Sequence, residues 1–288
     1  METVEFTNPE PGEKTENHPS FYQSDFYRDT HTKLLDRIVE VEVVRPIQFE
    51  PGRKYPLLIL NDGQDNTAVR LIETLDRLEA EQAIEPVIVA GIVAGDRIQE
   101  YGVSSRADYR GRGRKAKAYA KFVTSELIPY LVYRYPIDPS PSLRAVAGYS
   151  MGGLSALDIA WEHPEMFGKV GVFSGSLWWR KRDAHSRFYA DDRDRIMHLA
   201  IRKGKFKPDM KFWFQTGTRD EPGDRNHNGI IDSIDDTLDL IAELTKRGYR
   251  PFRDIQYLEI EGGEHNHKTW AEAMPHFLKW AFGKKPAH

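Results

Sequence analysis

Leu143-Arg144-Ala145-Val146-Ala147-Gly148-Tyr149-Ser150-Met151-Gly152-Gly153 is the stretch on which the reading of this chain turns. Residues 143–147 make a short apolar run of the kind that forms a buried strand. From Met151 through Trp161, alanines and leucines recur at helical spacing. Between the two lies Gly-x-Ser-x-Gly. A strand, a tight turn and a helix around that pattern give it a mechanical meaning, because the serine then sits on a strained turn with its hydroxyl presented as a nucleophile. The glycines answer a steric need: a side chain two positions to either side would collide with the neighbouring strand or helix. Gly153 lets the helix pack close to the sheet. The bland alternative is a glycine-rich turn with a solvent-facing serine, and the flanking strand and helix argue against it.

Acid and base candidates follow in the order serine, acid, histidine, which is the order of an α/β hydrolase. Lys211-Phe212-Trp213-Phe214-Gln215 reads as a strand and ends in Thr216-Gly217-Thr218-Arg219-Asp220-Glu221. Asp220 is the preferred acid on loop position and Glu221 the alternative. A later strand over 254–260 runs into Glu261-Gly262-Gly263-Glu264-His265-Asn266-His267, which offers two histidines as base. Open α/β sheets collect their chemistry at the carboxyl ends of strands, where all these groups fall. His163, His185, His198, His227 and His276 lie in or beside helices or in a polar loop, and read as surface or core residues. In this scheme the imidazole takes the serine proton during attack and returns it to the leaving alkoxide, while the acid fixes the tautomer. The oxyanion needs two preorganised donors. The Met151 backbone N–H follows the nucleophile, and the Gln64 N–H lies in the loop Asn61-Asp62-Gly63-Gln64-Asp65 after the strand-like run 55–60.

These motifs resemble the putative-esterase family of α/β hydrolases, which includes enterobactin-type siderophore esterases, feruloyl and acetyl-xylan esterases and S-formylglutathione hydrolases. The matching stretches are Leu60-Asn61-Asp62-Gly63-Gln64, Gly148 to Gly153, His163-Pro164-Glu165-Met166-Phe167, Ser174-Gly175-Ser176-Leu177-Trp178-Trp179, Gly217-Thr218-Arg219-Asp220, and Gly263-Glu264-His265 followed by Trp270. That last spacing looks like the family's Gly-x-His and tryptophan, and it selects His265 over His267. The resemblance runs over roughly residues 35 to 282 and implies a single-domain member with a mainly parallel sheet, flanking helices and antiparallel N-terminal edge strands. It does not separate siderophore, carbohydrate and thioester substrates.

Composition agrees with one large α/β domain over 31–284 in a chain of 288 residues, preceded by an irregular, proline-bearing arm over 1–30. No run approaches the ~18 apolar residues of a membrane span. A formal charge of −3 gives no general attraction to nucleic acid. Cysteine is absent, which excludes disulfides and a thiol nucleophile. No signal-peptide pattern opens the chain, so the expectation is a cytoplasmic enzyme or a trimmed form of an exported one. Val39 to Val44 alternates like an edge strand, 71–83 reads as a helix, 87–92 as a buried strand and 118–134 as an amphipathic helix.

A second motif spans Asp224-Arg225-Asn226-His227-Asn228-Gly229-Ile230-Ile231-Asp232-Ser233-Ile234-Asp235. Asp224, Asn226, Asn228, the Ile230 carbonyl, Asp232 and Asp235 stand where an EF-hand loop places its calcium ligands, with glycine at the sixth position. Aspartate at the twelfth resembles dockerin modules. The expected role is structural, ordering the loop that bears Asp220; no cofactor is expected for catalysis. The competing reading is a polar turn capping a helix from Asp236.

Arg106, Arg110, Arg112, Arg114, Lys115 and Lys117 crowd one loop; such runs are usually solvated, and near a site they would favour an anionic substrate. Trp178 and Trp179 are pocket candidates. The expectation is a serine esterase acting on a small-molecule or carbohydrate ester. The alternatives are an acyltransferase on the same fold and a non-catalytic carbohydrate- or partner-binding protein.

Overall fold

Strands such as Leu57–Asn61 and Ile88–Ile92 carry no polar face, so they can be stable only with both sides of their sheet covered. The computed structural model, which describes residues 9–11 and 20–284, meets that demand with one sheet and helices on both faces. Its strands are β1 (Glu10–Pro11), β2 (Tyr22–Thr32), β3 (Arg37–Pro46), β4 (Leu57–Asn61), β5 (Ile88–Ile92), β6 (Arg144–Tyr149), β7 (Lys169–Phe173), β8 (Lys211–Arg219) and β9 (Ile255–Glu264). They lie in the order β1-β2-β3-β5-β4-β6-β7-β8-β9. From β5 to β9 all pairs are parallel; β3 joins β5 antiparallel, and β2 and β1 extend that edge antiparallel.

The helices are α1 (Leu71–Ala80), α2 (Arg97–Glu100), α3 (Ala116–Phe122), α4 (Ile128–Arg134), α5 (Met151–Glu162), α6 (Asp191–Asp194), α7 (Ile196–Lys203), α8 (Asp232–Lys246) and α9 (His267–Phe282). On one face Leu71, Leu75 and Leu78 of α1 and Met274, Phe277 and Leu278 of α9 cover Leu58, Leu60, Val89 and Ala147. On the other, Leu131, Leu154, Leu157, Ile201, Leu240 and Leu244 cover Ile59, Val146, Val170 and Phe212.

The strand order reverses at β4. Its sequence successor β5 lies on one side and β6 on the other, which opens a crevice at the carboxyl ends of β4 and β6 where such sheets place their ligands. The loop after β4 and the serine after β6 therefore face each other across this switch point.

Three expectations are corrected. Residues 22–30 are not an irregular arm but most of β2, paired with β3 from Tyr22↔Pro46 to Thr32↔Arg37; the prolines that suggested irregularity all precede Ser20. The rest of that arm call, residues 1–8 and 12–19, lies outside the described residues. The Val39–Val44 run lies inside the sheet, between β2 and β5, and not at its edge. The 118–134 helix contains a π turn over Val123–Leu127, just before Pro129, which has no N–H to return to the preceding turn. Among the described residues no helix is long and apolar enough to cross a membrane.

One buried acid ties the nucleophile's helix to the segment between β5 and α3. Asp158 of α5 accepts the Ser104 N–H at 2.8 Å and the Ser104 hydroxyl. Burial pushes its carboxyl up to about 7, against the lowering pull of both Ser104 bonds. A raised folded-state value means the protonated form is favoured on folding, so its stabilisation is full below the ordinary 3.8 and disappears as pH rises through about 7. The melting temperature should thus fall between pH 5 and 8 more steeply in the native protein than in Asp158→Asn; identical slopes would disprove this account.

Candidate active site

Ser150 ends β6 and begins α5 with φ 54° and ψ −118°, a conformation costly for a residue with a side chain. Its neighbours hold it there. The Ser150 N–H donates to the Phe173 carbonyl at 2.8 Å, and its own carbonyl accepts the Ser176 N–H at 3.0 Å and the Gly153 and Leu154 N–H groups at 3.1 Å. A Cβ on Gly148 would stand 2.5 Å from the Gly152 carbonyl carbon, and one on Gly152 would strike the Asp62 carboxylate. The two glycines thus permit the elbow itself and its contact with the loop after β4. The Ser150 hydroxyl oxygen lies 3.2 Å from that of Ser176.

Met151 opens α5, so its N–H has no acceptor within the helix. Across the crevice, Gly63–Asp65 form a single 3₁₀ turn after Asp62, whose φ of 64° swings the chain back over the sheet. Gln64 lies in that turn. Its side-chain amide spans the loop, donating to Asp62 Oδ1 at 3.1 Å and accepting the Ala94 N–H at 3.0 Å. Asp62 is buried and paired side-on with Arg97, at 2.8 Å from Nε and 3.0 Å from Nη2. Arg97 Nη2 also donates to the Tyr149 carbonyl at 3.1 Å, joining the loop to the strand that carries the nucleophile. Beneath, Asn61 donates to the Gly152 carbonyl at 2.8 Å and accepts from Tyr119 at 2.7 Å.

Asp220 sits past the end of β8, buried, with Oδ2 accepting the Gly217 N–H at 3.0 Å and Oδ1 accepting the Ser174 hydroxyl at 3.1 Å. Burial raises its carboxyl, while those two donors and the nearby His265 favour the ionised form. His265 follows β9 directly. One side of its ring is open to solvent and the other packs edge-on against Trp270, at 5.3 Å between centroids. Among the described residues His265 makes no hydrogen bond to Ser150 or Asp220; catalytic bonds in free enzymes are often long and tighten with substrate. Desolvation by the surrounding protein lowers the imidazole below its ordinary value, offset by the Asp220 carboxylate and assisted by the Arg97 charge.

The alternative acid, Glu221, is placed differently. Burial pushes it up to about 6, and the charges acting on it are Asp232, Asp236 and Asp220, with His265 not among them. His267 lies 3.4 Å from Asp65, on the far edge of Trp270.

Trp178 and Trp179 part company. Trp178 is half-buried beneath the Arg112 guanidinium, 4.7 Å from its ring. Trp179 is fully buried, packed where a Cβ on either Gly102 or Gly113 would touch its indole. It is a core residue with no surface to offer a substrate, which corrects its place as a pocket candidate.

The 224–235 loop is closed by hydrogen bonds among its own groups. Asp224 accepts the Asn228 and Gly229 N–H groups at 3.2 and 2.9 Å, and the amides of Asn226 and Asn228 both reach Asp235 Oδ2, at 2.9 and 2.8 Å. The amide nitrogens of positions three and five, not their oxygens, thus face the carboxylate of position twelve. Ile230 gives its N–H to Asn228 Oδ1 at 2.8 Å. Asp232, the ninth position, is held instead by Arg225, through its N–H at 2.9 Å and Nη1 at 3.1 Å. Among the described residues no three carboxylates or histidines stand together as a metal cluster. The helix begins at Asp232, inside the loop, and not near Asp236.

Three residues of the site escaped the sequence reading. Ser174 (φ 43°) and Ser176 close the end of β7, beside β6, and touch Asp220 and Ser150; their signal was the Ser-Gly-Ser that ends an apolar strand. Arg97 gave none, because only the fold brings it to Asp62.

A family model described as "Putative esterase" matches residues 32–281. The uncharacterized protein YbbA of Bacillus subtilis (strain 168) is 25% identical over 238 residues, covering 80% of this chain and 86% of that protein. The enterobactin esterase FES of Shigella flexneri superposes with a TM-score of 0.66 at 21% identity, over 90% of this chain and 58% of that one. A ferulic acid esterase superposes with a TM-score of 0.67 at 20% identity, over 93% of this chain and 99% of that one. Likeness at such identity speaks for the fold.

If His265 acts as base, it works in its neutral form, and its lowered value sets where that form appears. Ester turnover, measured as kcat/KM against pH, should rise through a midpoint below the ordinary 6.5 of histidine and stay level above it. A midpoint at or above 6.5 would contradict the assignment.

Proposed function

This chain belongs to the putative-esterase family and is a carboxylic ester hydrolase, and we propose that it works through an acyl-enzyme on Ser150. In this reading the Ser150 oxygen attacks the ester carbonyl carbon as His265 takes its proton. The negative charge that forms on the carbonyl oxygen is met by the Met151 and Gln64 N–H groups. Collapse expels the alcohol, which receives the proton from His265; water then repeats the cycle and frees the acid. Asp220 holds the imidazole and stabilises its cation.

The observation that carries this reading is the strained Ser150 at the strand-order reversal, with an unbonded helix N-terminus on one side and the 3₁₀ turn of Gln64 on the other. The electrostatic coupling of Asp220 to His265, absent for Glu221, supports the choice of acid. The resemblance to enterobactin and ferulic acid esterases supports the ester of a siderophore lactone or of a feruloylated carbohydrate.

A fluorophosphonate probe should label the native protein and not Ser150→Ala, and the variant should lose on the order of 10⁴-fold or more in ester turnover. Assayed against a triserine catecholate lactone, feruloyl and acetyl oligosaccharides and a glutathione thioester, the native protein should prefer one of the first two classes. A native protein that neither labels nor hydrolyses any of them would leave a binding role in place of catalysis. Added sugar or alcohol acceptors that divert the acyl group from water would identify an acyltransferase.

For the 224–235 loop we propose a structural calcium ion held by Asp224, Asn226, Asn228 and Asp235 with the Ile230 carbonyl, Asp232 joining through water. The ion would brace the segment between Asp220 and α8. Calorimetric titration of chelator-treated protein should show one-to-one uptake that Asp224→Ala abolishes; a flat titration retires the ion.

A further inference from the structure

The groups around the acid contain an arrangement that the proposed mechanism does not use. The indole of Trp270, on α9, meets the proposed base directly and the proposed acid through Ser174. Its edge packs on the His265 ring at 5.3 Å and 80°, and its Nε1–H donates to the Ser174 hydroxyl oxygen at 3.1 Å. That hydroxyl in turn donates to Asp220 Oδ1 at 3.1 Å. Trp270 cannot easily shift, because its other side stacks on Tyr149 at 5.0 Å and 21°, one residue before the nucleophile.

We propose that Trp270 and Ser174 form a positioning relay, in which one buried indole sets the orientation of the acid through Ser174 and of the base by direct ring contact. The inference rests on the reading of Ser150, Asp220 and His265 as a triad.

The hydrogen bonds have only one consistent direction. Indole nitrogen can only donate, so the Ser174 oxygen is the acceptor of the first bond and its proton is free for the second. Asp220 receives that proton and the Gly217 N–H on its two oxygens, which fixes its plane and favours its ionised form. Ser174 is held for this purpose. It is 1% exposed, its N–H donates to the Gln215 carbonyl at 2.8 Å, and its φ of 43° is one that a residue with a side chain adopts only under constraint. An ordinary core position would need neither the strain nor a hydroxyl. Neither residue touches the reacting atoms in the proposed chemistry; both act through Asp220 and His265.

Removing the Ser174 hydroxyl takes one donor from the acid. Without that bond the carboxylate is no longer held in its plane toward the ring and stabilises the imidazolium less, so the His265 midpoint falls further and the acid limb of the pH profile moves to lower pH. The charged groups facing His265 are otherwise unchanged, namely Arg97 from α2, and His267 lies across Trp270 from it.

The test uses the full chain with a neutral p-nitrophenyl ester. Ser174→Ala should lower kcat by about 10- to 100-fold with KM nearly unchanged, as expected for a lost bond to a charged group, and should shift the acid limb downward. Trp270→Phe keeps the ring contacts and removes only the N–H; its loss should be smaller. The double variant should be no worse than Ser174→Ala alone, because both changes break one chain. Losses that multiply in the double variant, or single variants within twofold of native kcat with an unmoved acid limb, would overturn the relay while the esterase reading stands. If Ser174→Ala does not fold, Trp270→Phe decides alone: native kcat and acid limb refute the relay. A native protein without labelling or turnover removes both together.

Discussion

The site depends on a backbone angle. Ser150 has φ 54° because the chain must turn from β6 into α5 within one residue, and the cost of that turn is met by a cage of hydrogen bonds and close contacts. The cage recruits β7 through Phe173 and Ser176, and recruits the loop after β4 through the absence of a side chain on Gly152. Three strand ends are thereby locked together before any chemistry is considered. The same turn leaves the Met151 N–H free at a helix N-terminus, where a negative charge is most favoured. Strain and function share one cause.

Buried charge is handled in pairs on either side of this turn. Asp62 is almost wholly enclosed, and the side-on Arg97 partner satisfies both of its oxygens while a third donation reaches Tyr149. Fork geometry of this kind fixes orientation as well as charge. On the other side, Asp220 accepts one N–H and one hydroxyl, which favour its ionised form against burial, beside an imidazole whose value burial lowers. One carboxylate braces the loop after β4 and the other lies beside His265; their surroundings set them apart.

The segment beyond Asp220 is anchored from a distance. Asp232 donates its N–H to the Gly223 carbonyl at 2.7 Å, and Arg225 reaches Asp191 at 3.0 Å and Asp236 at 2.5 Å. Arg195, itself buried, binds Asp236 and Asp239 at 2.6 Å each. These ion pairs join α6, α7 and α8 into a base for the 224–235 loop, independent of whether a cation occupies its tip. They also explain why Glu221 faces Asp232 and Asp236 and not His265.

How much was legible follows from the range of each interaction. The nucleophile turn, the parallel core strands and the flanking helices are local patterns: five-residue apolar runs, helical spacing, and glycines at fixed offsets from Ser150. Residues alone could therefore place Ser150 and limit the acid and base to two candidates each, the resemblance preferring His265. Loop position preferred Asp220 to Glu221 in the sequence, but what the fold sets opposite each of these adjacent carboxylates was not legible there. The sequence could not reveal that Trp179 is core while Trp178 is half-open, or that 22–30 pairs as a strand, because burial and pairing are properties of distant partners. Arg97 on Asp62, and Trp270 on Ser174, join residues 35 and 96 positions apart. The linear chain determined which chemistry was available; tertiary packing decided which polar groups meet, because their energies depend on neighbours brought together only by the closed sheet.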